Sequence, residues 1–87
     1  MKICIVLMKD RFVSVGVFSE TETHVILDNA AVVRYWGTER GLGQIAADGP
    51  TKNTVLDKTP RESIPKHAII KMIDCDVKAW KKVLEVK

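Results

Sequence analysis

Residues 32–50 read VVRYWGTERGLGQIAADGP, and this stretch decides how the rest of the chain is arranged. It opens as a strand, passes through a glycine-rich corner and continues as a short helix. Gly49 and Pro50 end that helix, because glycine is favoured just after a helix and proline cannot continue one. The stretch contains the only tyrosine and four of the five glycines. Residue types suited to recognition are therefore concentrated in one short segment.

The glycine-rich corner predicts a helix that needs outside support. Thr38 has the side chain to cap a helix over Glu39–Ala47. Gly41 and Gly43 each weaken such a helix by about 1 kcal/mol relative to alanine. We therefore expect the backbone at these two glycines to contact a closely packed neighbour or a ligand.

Short apolar segments on both sides of this stretch predict the remaining strands. Ile3–Met8 is apolar on both faces, which is typical of a strand covered on both sides. Gly16 in the middle of the next segment predicts a bulge or a sharp bend. The other predicted strands are Arg11–Phe18, His24–Asp28, Ala31–Trp36, Thr54–Leu56 and His67–Asp74.

The connections follow from turn and capping chemistry. Asp28 and Asn29 predict a turn, because both side chains bond their own backbone. Lys58–Lys66 contains two prolines and many polar residues, so we predict a mobile loop there. Asp76 is placed to cap a C-terminal helix whose buried stripe includes Trp80.

These elements predict an α+β, mainly β domain that spans residues 1–87. Five or six strands, one inserted short helix and one C-terminal helix suit a small, strongly bent antiparallel sheet or an SH3-like or Sm-like partial barrel. That analogy to known folds carries no function.

Composition narrows the class of protein. The formal net charge is +3. Residues 58–87 hold eight Lys or Arg and four Asp or Glu, so this third is mildly basic. A solvated face explains this bias, and a nucleic-acid contact through lysines is the alternative. The lysines concerned are Lys66, Lys71, Lys78, Lys81 and Lys82.

Cysteine usage and hydropathy suggest a compartment. Cys4 and Cys75 lie in apolar runs without metal-binding or redox spacing, so we expect buried free thiols. The N-terminal apolar run is too short for a signal sequence or a membrane span. We therefore expect a cytoplasmic protein.

No arrangement of titratable residues predicts catalysis. The two histidines, His24 and His67, are far apart in the sequence and have no fixed spacing to either cysteine. No Cys or His pair has metal-ligand spacing. The sequence thus predicts no enzyme, no metal and no cofactor.

A binding surface around the glycine-rich corner is the better-supported prediction. Free amides at a helix start attract anions, and nearby side chains offer charge, stacking and hydrogen bonds. The glycines match no nucleotide-binding fingerprint. The predicted contact residues are Arg34, Tyr35, Trp36, Arg40, Gly41, Gly43, Thr51 and Lys52. The alternative is that the aromatic residues belong to a core or a subunit interface.

The segment VILDNAAVVRYWGTERGLGQIAADGPTKNTVLD, followed by IPKHAII, resembles a family of small uncharacterised proteins common in phage and prophage genomes. The resemblance covers about residues 11 to 74. It carries no activity and no catalytic residue. It implies a viral accessory protein in the cytoplasm of a bacterial host.

Together these observations predict a non-catalytic, homo-oligomeric, phage-type binding protein. Its expected target is an anionic nucleotide-like ligand or a host protein, and a role in sequestering a nucleotide defence signal is one version. A small-barrel nucleic-acid binder and a structural virion or scaffold component are the alternatives.

Overall fold

A computed structural model describes residues 1–87 and contains one five-stranded antiparallel sheet. The strands are β1 (Ile3–Met8), β2 (Val13–Glu20), β3 (His24–Tyr35), β4 (Val55–Pro65) and β5 (Ile69–Asp74). Their order in the sheet is β4-β3-β2-β1-β5. Two short helices, α1 (Leu42–Asp48) and α2 (Val77–Lys81), complete the fold.

The sheet is strongly bent but not closed. Strands β4 and β5 form opposite edges of the sheet, yet only a three-residue 3₁₀ turn at Lys66–Ala68 separates them in sequence. So short a connection requires the two edges to curl towards each other. The mainly β, α+β class and the bent antiparallel sheet are therefore confirmed, with five strands.

Both faces of the sheet are apolar, as the pattern of β1 predicted. One face carries side chains such as Ile3 and Ile5 and packs under both helices. The other face, on the inside of the bend, forms a smaller cluster that includes Val6, Leu27 and Ile64. Because alternate residues of a strand point to opposite faces, β1 contributes to both clusters and is fully buried over residues 3–6.

Trp80 joins the two helices on the covered face. Its side chain is fully buried, and its Nε1 donates a 2.7 Å hydrogen bond to the carbonyl oxygen of Ile45 in α1. The carboxylate of Asp76 accepts a hydrogen bond from the backbone N–H of Ala79, which confirms the predicted cap. The core position of Trp80 is likewise confirmed.

The two strands predicted at His24–Asp28 and Ala31–Trp36 are one continuous strand, so the turn predicted between them is wrong. Asn29 does adopt a left-handed conformation, with φ at 49°. However, β2 and β4 pair with β3 on both sides of this position, so the residue forms a bulge. The Asn29 side chain donates to the carbonyl oxygens of Leu84 and Glu85, which ties the C-terminal segment to the sheet.

The loop predicted at Lys58–Lys66 is also wrong, because most of it belongs to β4. Strand β4 is an edge strand that pairs only with β3. Pro60 falls in a gap in the pairing between Thr59 and Arg61, opposite the bulge of β3. Since proline is tolerated at sheet edges and at bulges, it does not break the strand here.

The start of the last strand differs from prediction, whereas an irregularity was predicted at Gly16. The last strand begins at Ile69 instead of His67, because residues 66–68 form the 3₁₀ turn. The bulge or sharp bend predicted at Gly16 corresponds to a register shift between Val15 and Val17, where β3 contributes the extra residue. A Cβ at Gly16 would lie 2.9 Å from the Leu27 Cβ, which explains why the residue has no side chain.

Candidate functional site

An open pocket lies where β3 ends and the glycine-rich corner begins. It is lined by Arg34, Tyr35 and Trp36 from the end of β3 and by four residues that follow or face them. Those four are Gly37, Thr38, Glu39 and Asn53. Three of the eight predicted contact residues are thus brought together in one cavity of about 710 Å³.

Close packing of two chain segments shapes this pocket. Gly37 has a φ of +64°, and a Cβ there would lie 2.4 Å from the backbone carbon of Asn53. Thr51 Oγ1 donates to the carbonyl oxygen of Gly37 at 2.8 Å, and Thr54 Oγ1 donates to that of Trp36 at 2.6 Å. The turn at residues 51–54 is therefore fastened to residues 36–37, and Thr51 supports the pocket without lining it.

The aromatic residues of the pocket are exposed. Tyr35 is 63% exposed and Trp36 is 42% exposed. Neither belongs to the core, so the alternative that they are core aromatics is excluded for this chain. Their exposure leaves two flat, partly apolar side chains available to a partner.

Arg34 has an acidic partner within the sheet. Its guanidinium donates two hydrogen bonds to the carboxylate of Asp57 on β4, from Nε at 2.9 Å and from Nη2 at 2.6 Å. This bidentate bond lowers the pKa of Asp57 and raises that of Arg34. The pair orients Arg34 at the pocket and neutralises much of its charge.

The glycine-rich corner differs from the predicted helix start. The helix begins at Leu42, not at Glu39, and Thr38 does not cap it. Instead, Thr38 Oγ1 donates to the carbonyl oxygen of Gly41, whose φ is 77°. The side-chain oxygen of Gln44 accepts from the N–H of Arg40, so this turn is closed by its own polar groups.

No part of the chain packs against the two glycines that were predicted to need support. A Cβ placed on Gly41 or on Gly43 would meet no atom within 4 Å. The positive φ of Gly41 explains why a glycine occupies that position. Gly43 has neither a crowded Cβ position nor a positive φ, so nothing in the chain requires a glycine there. Of the remaining predicted contact residues, Arg40 lies 3.6 Å from Asp48 in an exposed ion pair, and Lys52 is exposed in a turn.

Four pocket residues were not predicted from the sequence. Gly37, Thr38 and Glu39 are adjacent to Trp36, and proximity alone would have included them. Asn53 carries no such signal, because only the tertiary packing of the residue 51–54 turn brings it to Gly37.

The thiols and imidazoles do not assemble a reactive group. Burial is the main cause that raises the pKa of Cys4 to about 11 and that of Cys75 to about 12, so both remain protonated at neutral pH. The His24 Nδ1 hydrogen bonds to its neighbour Thr23 at 2.8 Å, and His67 is exposed in the 3₁₀ turn. No group of three or more His, Cys, Asp or Glu side chains is arranged to hold a metal ion.

A family model described as a domain of unknown function, DUF6948, matches residues 1–83. The chain belongs to the DUF6948 family. The match includes every residue of the pocket, so the pocket lies within the DUF6948 domain itself. Neither a curated protein nor a solved structure matches this sequence. None of the helices of this DUF6948 protein has the length and apolar character needed to cross a membrane.

Proposed function

We propose that this DUF6948 protein is a non-catalytic binding protein that works as a homo-oligomer. Its contact surface is the aromatic end, defined as Phe12, Tyr35, Trp36 and Val55 together with the pocket beside them. Four of the seven exposed large hydrophobic residues of the chain belong to this surface, and this concentration is the observation that carries the proposal.

The strand registers support one continuous aromatic end. Tyr35 pairs with Val55, and Ser14 pairs with Val32. Phe12 precedes Ser14 by two residues, so it lies at the same end of the sheet as Arg34. The side chains of Phe12 and Val55 are 62% and 38% exposed. An exposed apolar group of this kind on a small domain is typical of a protein-contact surface.

Charge favours a protein over a small anion as the occupant. Arg34 is bonded to Asp57, and the acidic Glu39 lines the same pocket. Helix α1 has only seven residues and therefore offers a weak dipole. The nucleotide-like ligand thus has less support than a protein partner, whose interfaces are enriched in Tyr, Trp and Arg.

The mixed charge around the aromatic end favours a second copy of the chain. The β1–β2 turn presents Lys9, Asp10 and Arg11, the pocket presents Glu39, and the adjoining residue 51–54 turn presents Lys52, all of which are exposed. A two-fold symmetric interface must be complementary to itself, which requires both signs of charge around an apolar centre. The aromatic end meets this requirement.

Sedimentation of the wild-type protein over a range of concentrations tests self-association. We expect a concentration-dependent dimer or larger oligomer, and Trp36→Ala should weaken it by about 30-fold or more, since central aromatic residues of interfaces contribute 2 kcal/mol or more. Ile70→Ala is the control, because Ile70 is a large apolar residue that is 62% exposed but lies outside the defined aromatic end. It should leave the oligomer unchanged.

Two outcomes contradict this proposal. If the wild-type protein remains monomeric at high concentration, a second copy of the chain does not bind the aromatic end. If Trp36→Ala and Ile70→Ala weaken self-association equally, the aromatic end is not the interface. Calorimetry with a nucleotide panel tests the ligand version separately, because nucleotide binding should produce heat that Trp36→Ala or Arg40→Ala reduces.

We further propose that the protein is a phage-type accessory protein of the bacterial cytoplasm. The support is the sequence resemblance described above, together with two free thiols, Cys4 buried and Cys75 partly buried, whose raised pKa values suit a structural role. Induction of a prophage that carries this gene should raise the amount of the protein in the soluble cell fraction. Its presence in purified virions instead would support the structural alternative.

A further inference from the structure

We infer that the lysines on β5 and α2 form a contact surface for the phosphate backbone of nucleic acid. We call this surface the lysine face and define it as Lys71, Lys78, Lys81 and Lys82. It is separate from the aromatic end and does not depend on the proposed function.

The ion pairs of the molecule leave this surface uncompensated. Six basic residues are paired with carboxylates, among them Lys2 with Asp74 and Lys58 with Glu85. None of the four lysines of the lysine face has an acidic partner, and all are exposed. Eight of the fourteen basic residues are therefore without a carboxylate partner, and the lysine face contains half of these eight.

The carboxylates close to the lysine face in sequence are engaged elsewhere. Asp74 lies 3.6 Å from Lys2, and Glu85 is bonded to Lys58. Asp76 caps α2 through the N–H of Ala79. Residues 71–87 contain no other acidic residue, so the lysines have no local carboxylate free to pair with them. Lys66, which the sequence grouped with these lysines, is paired with Glu20 at 3.4 Å and is not part of the surface.

The secondary structure aligns the lysines. Lys78, Lys81 and Lys82 are spaced i, i+3 and i+4, which places them on one side of a helix with their Cβ atoms about 5–6 Å apart. Lys71 pairs with Leu7, whose side chain packs on the helix-covered face of the sheet. Paired residues share a face, so Lys71 lies on the side that carries α2.

The other polyanionic partners fit less well. A helix that lies on a membrane needs a free apolar face, but Trp80 and Leu84 are buried in the core. A small anion needs a pocket with fixed donors, and these lysines are exposed side chains without one. A phosphate backbone requires only a row of mobile cations, because its affinity comes from counterion release.

Fluorescence anisotropy with labelled 20-nucleotide duplex and single-stranded DNA and RNA tests this inference. With about four phosphates contacted, the association constant for duplex should fall about 100-fold between 50 and 200 mM salt. The triple variant Lys78→Gln, Lys81→Gln and Lys82→Gln should lose most of this salt dependence and at least about 10-fold of the affinity at 50 mM salt.

The control variant removes the same charge from residues outside the lysine face. Lys9→Gln, Arg11→Gln and Lys52→Gln also replace exposed cations without acidic partners, and this variant should bind nucleic acid within about threefold of wild type. Thermal unfolding checks that both variants fold. The lysine-face variant should self-associate like wild type, so this test fails or succeeds independently of the aromatic end.

Three results would overturn the inference. The first is no anisotropy change with any oligonucleotide at 50 mM salt. The second is equal loss of affinity in the two triple variants, which would indicate net charge instead of a defined surface. The third is binding of a labelled polyglutamate peptide as tight as that of DNA, which would assign the lysine face to an acidic protein.

Discussion

Trp80→Ala is expected to remove about 3–5 kcal/mol from the free energy of unfolding, the usual cost of truncating a large buried aromatic residue. Trp80 is fully buried between the sheet and α1, and its indole N–H is bonded to the Ile45 carbonyl oxygen. A domain of this size is stabilised by only about 5–10 kcal/mol in total. Much of the variant should therefore be unfolded near 37 °C, as measured by circular dichroism and guanidinium denaturation.

Two further variants separate packing from the hydrogen bond. Trp80→Phe keeps most of the apolar volume but leaves the Ile45 carbonyl oxygen without its donor, so it should cost about 1–3 kcal/mol. Trp36→Ala should cost less than about 1 kcal/mol, because Trp36 is partly exposed and lies outside the core. If Trp80→Ala unfolds at the same guanidinium concentration as wild type, the packing of α2 described here is wrong.

Gly37→Ala is the second change with a large expected effect, about 2–4 kcal/mol of lost stability. Part of this cost is the left-handed backbone at φ +64°, which an alanine adopts at a penalty of about 1–2 kcal/mol. The remainder comes from overlap with the backbone of Asn53, which must move away. Because that movement breaks the Thr51–Gly37 hydrogen bond, the pocket should open and self-association should weaken as well.

Gly43→Ala is the matched control in the same segment. Its Cβ would meet no atom within 4 Å, and the residue lies inside α1, so alanine should raise stability by about 0.5–1 kcal/mol. Guanidinium denaturation of both variants checks the contrast. A Gly37→Ala protein as stable as wild type would contradict the close approach of Asn53. A Gly43→Ala protein that is more stable yet associates less would indicate that a partner contacts the α1 backbone.

Local sequence patterns were reliable where a local interaction decides the structure. The apolar run of β1 and the cap at Asp76 both follow from neighbours within a few residues. The end of α1 at Gly49 was predicted for the same reason. Thr38 shows the limit of this reasoning, because its hydroxyl is bonded to Gly41 and does not cap the helix.

The errors arose where distant segments overrule a local preference. Asn29 and Pro60 both suggested breaks in the chain, but they lie opposite each other across β3 and β4. Asn29 is accommodated by the bulge of β3 against β2, and Pro60 is tolerated because β4 is an edge strand, so neither residue interrupts the sheet. A single sequence does not show that these two exceptions coincide.

The sequence by itself determined the class of fold and the place where recognition residues gather, because hydrophobic periodicity and the residues of 32–50 are local properties. Only the tertiary structure decided which of those residues meet. It joined Asn53 to Gly37, bound Arg34 to Asp57 and left the lysine face without carboxylate partners. The physical reason is that pocket shape and charge compensation depend on contacts between residues far apart in the chain, and strand register, turn geometry and helix packing together set those contacts.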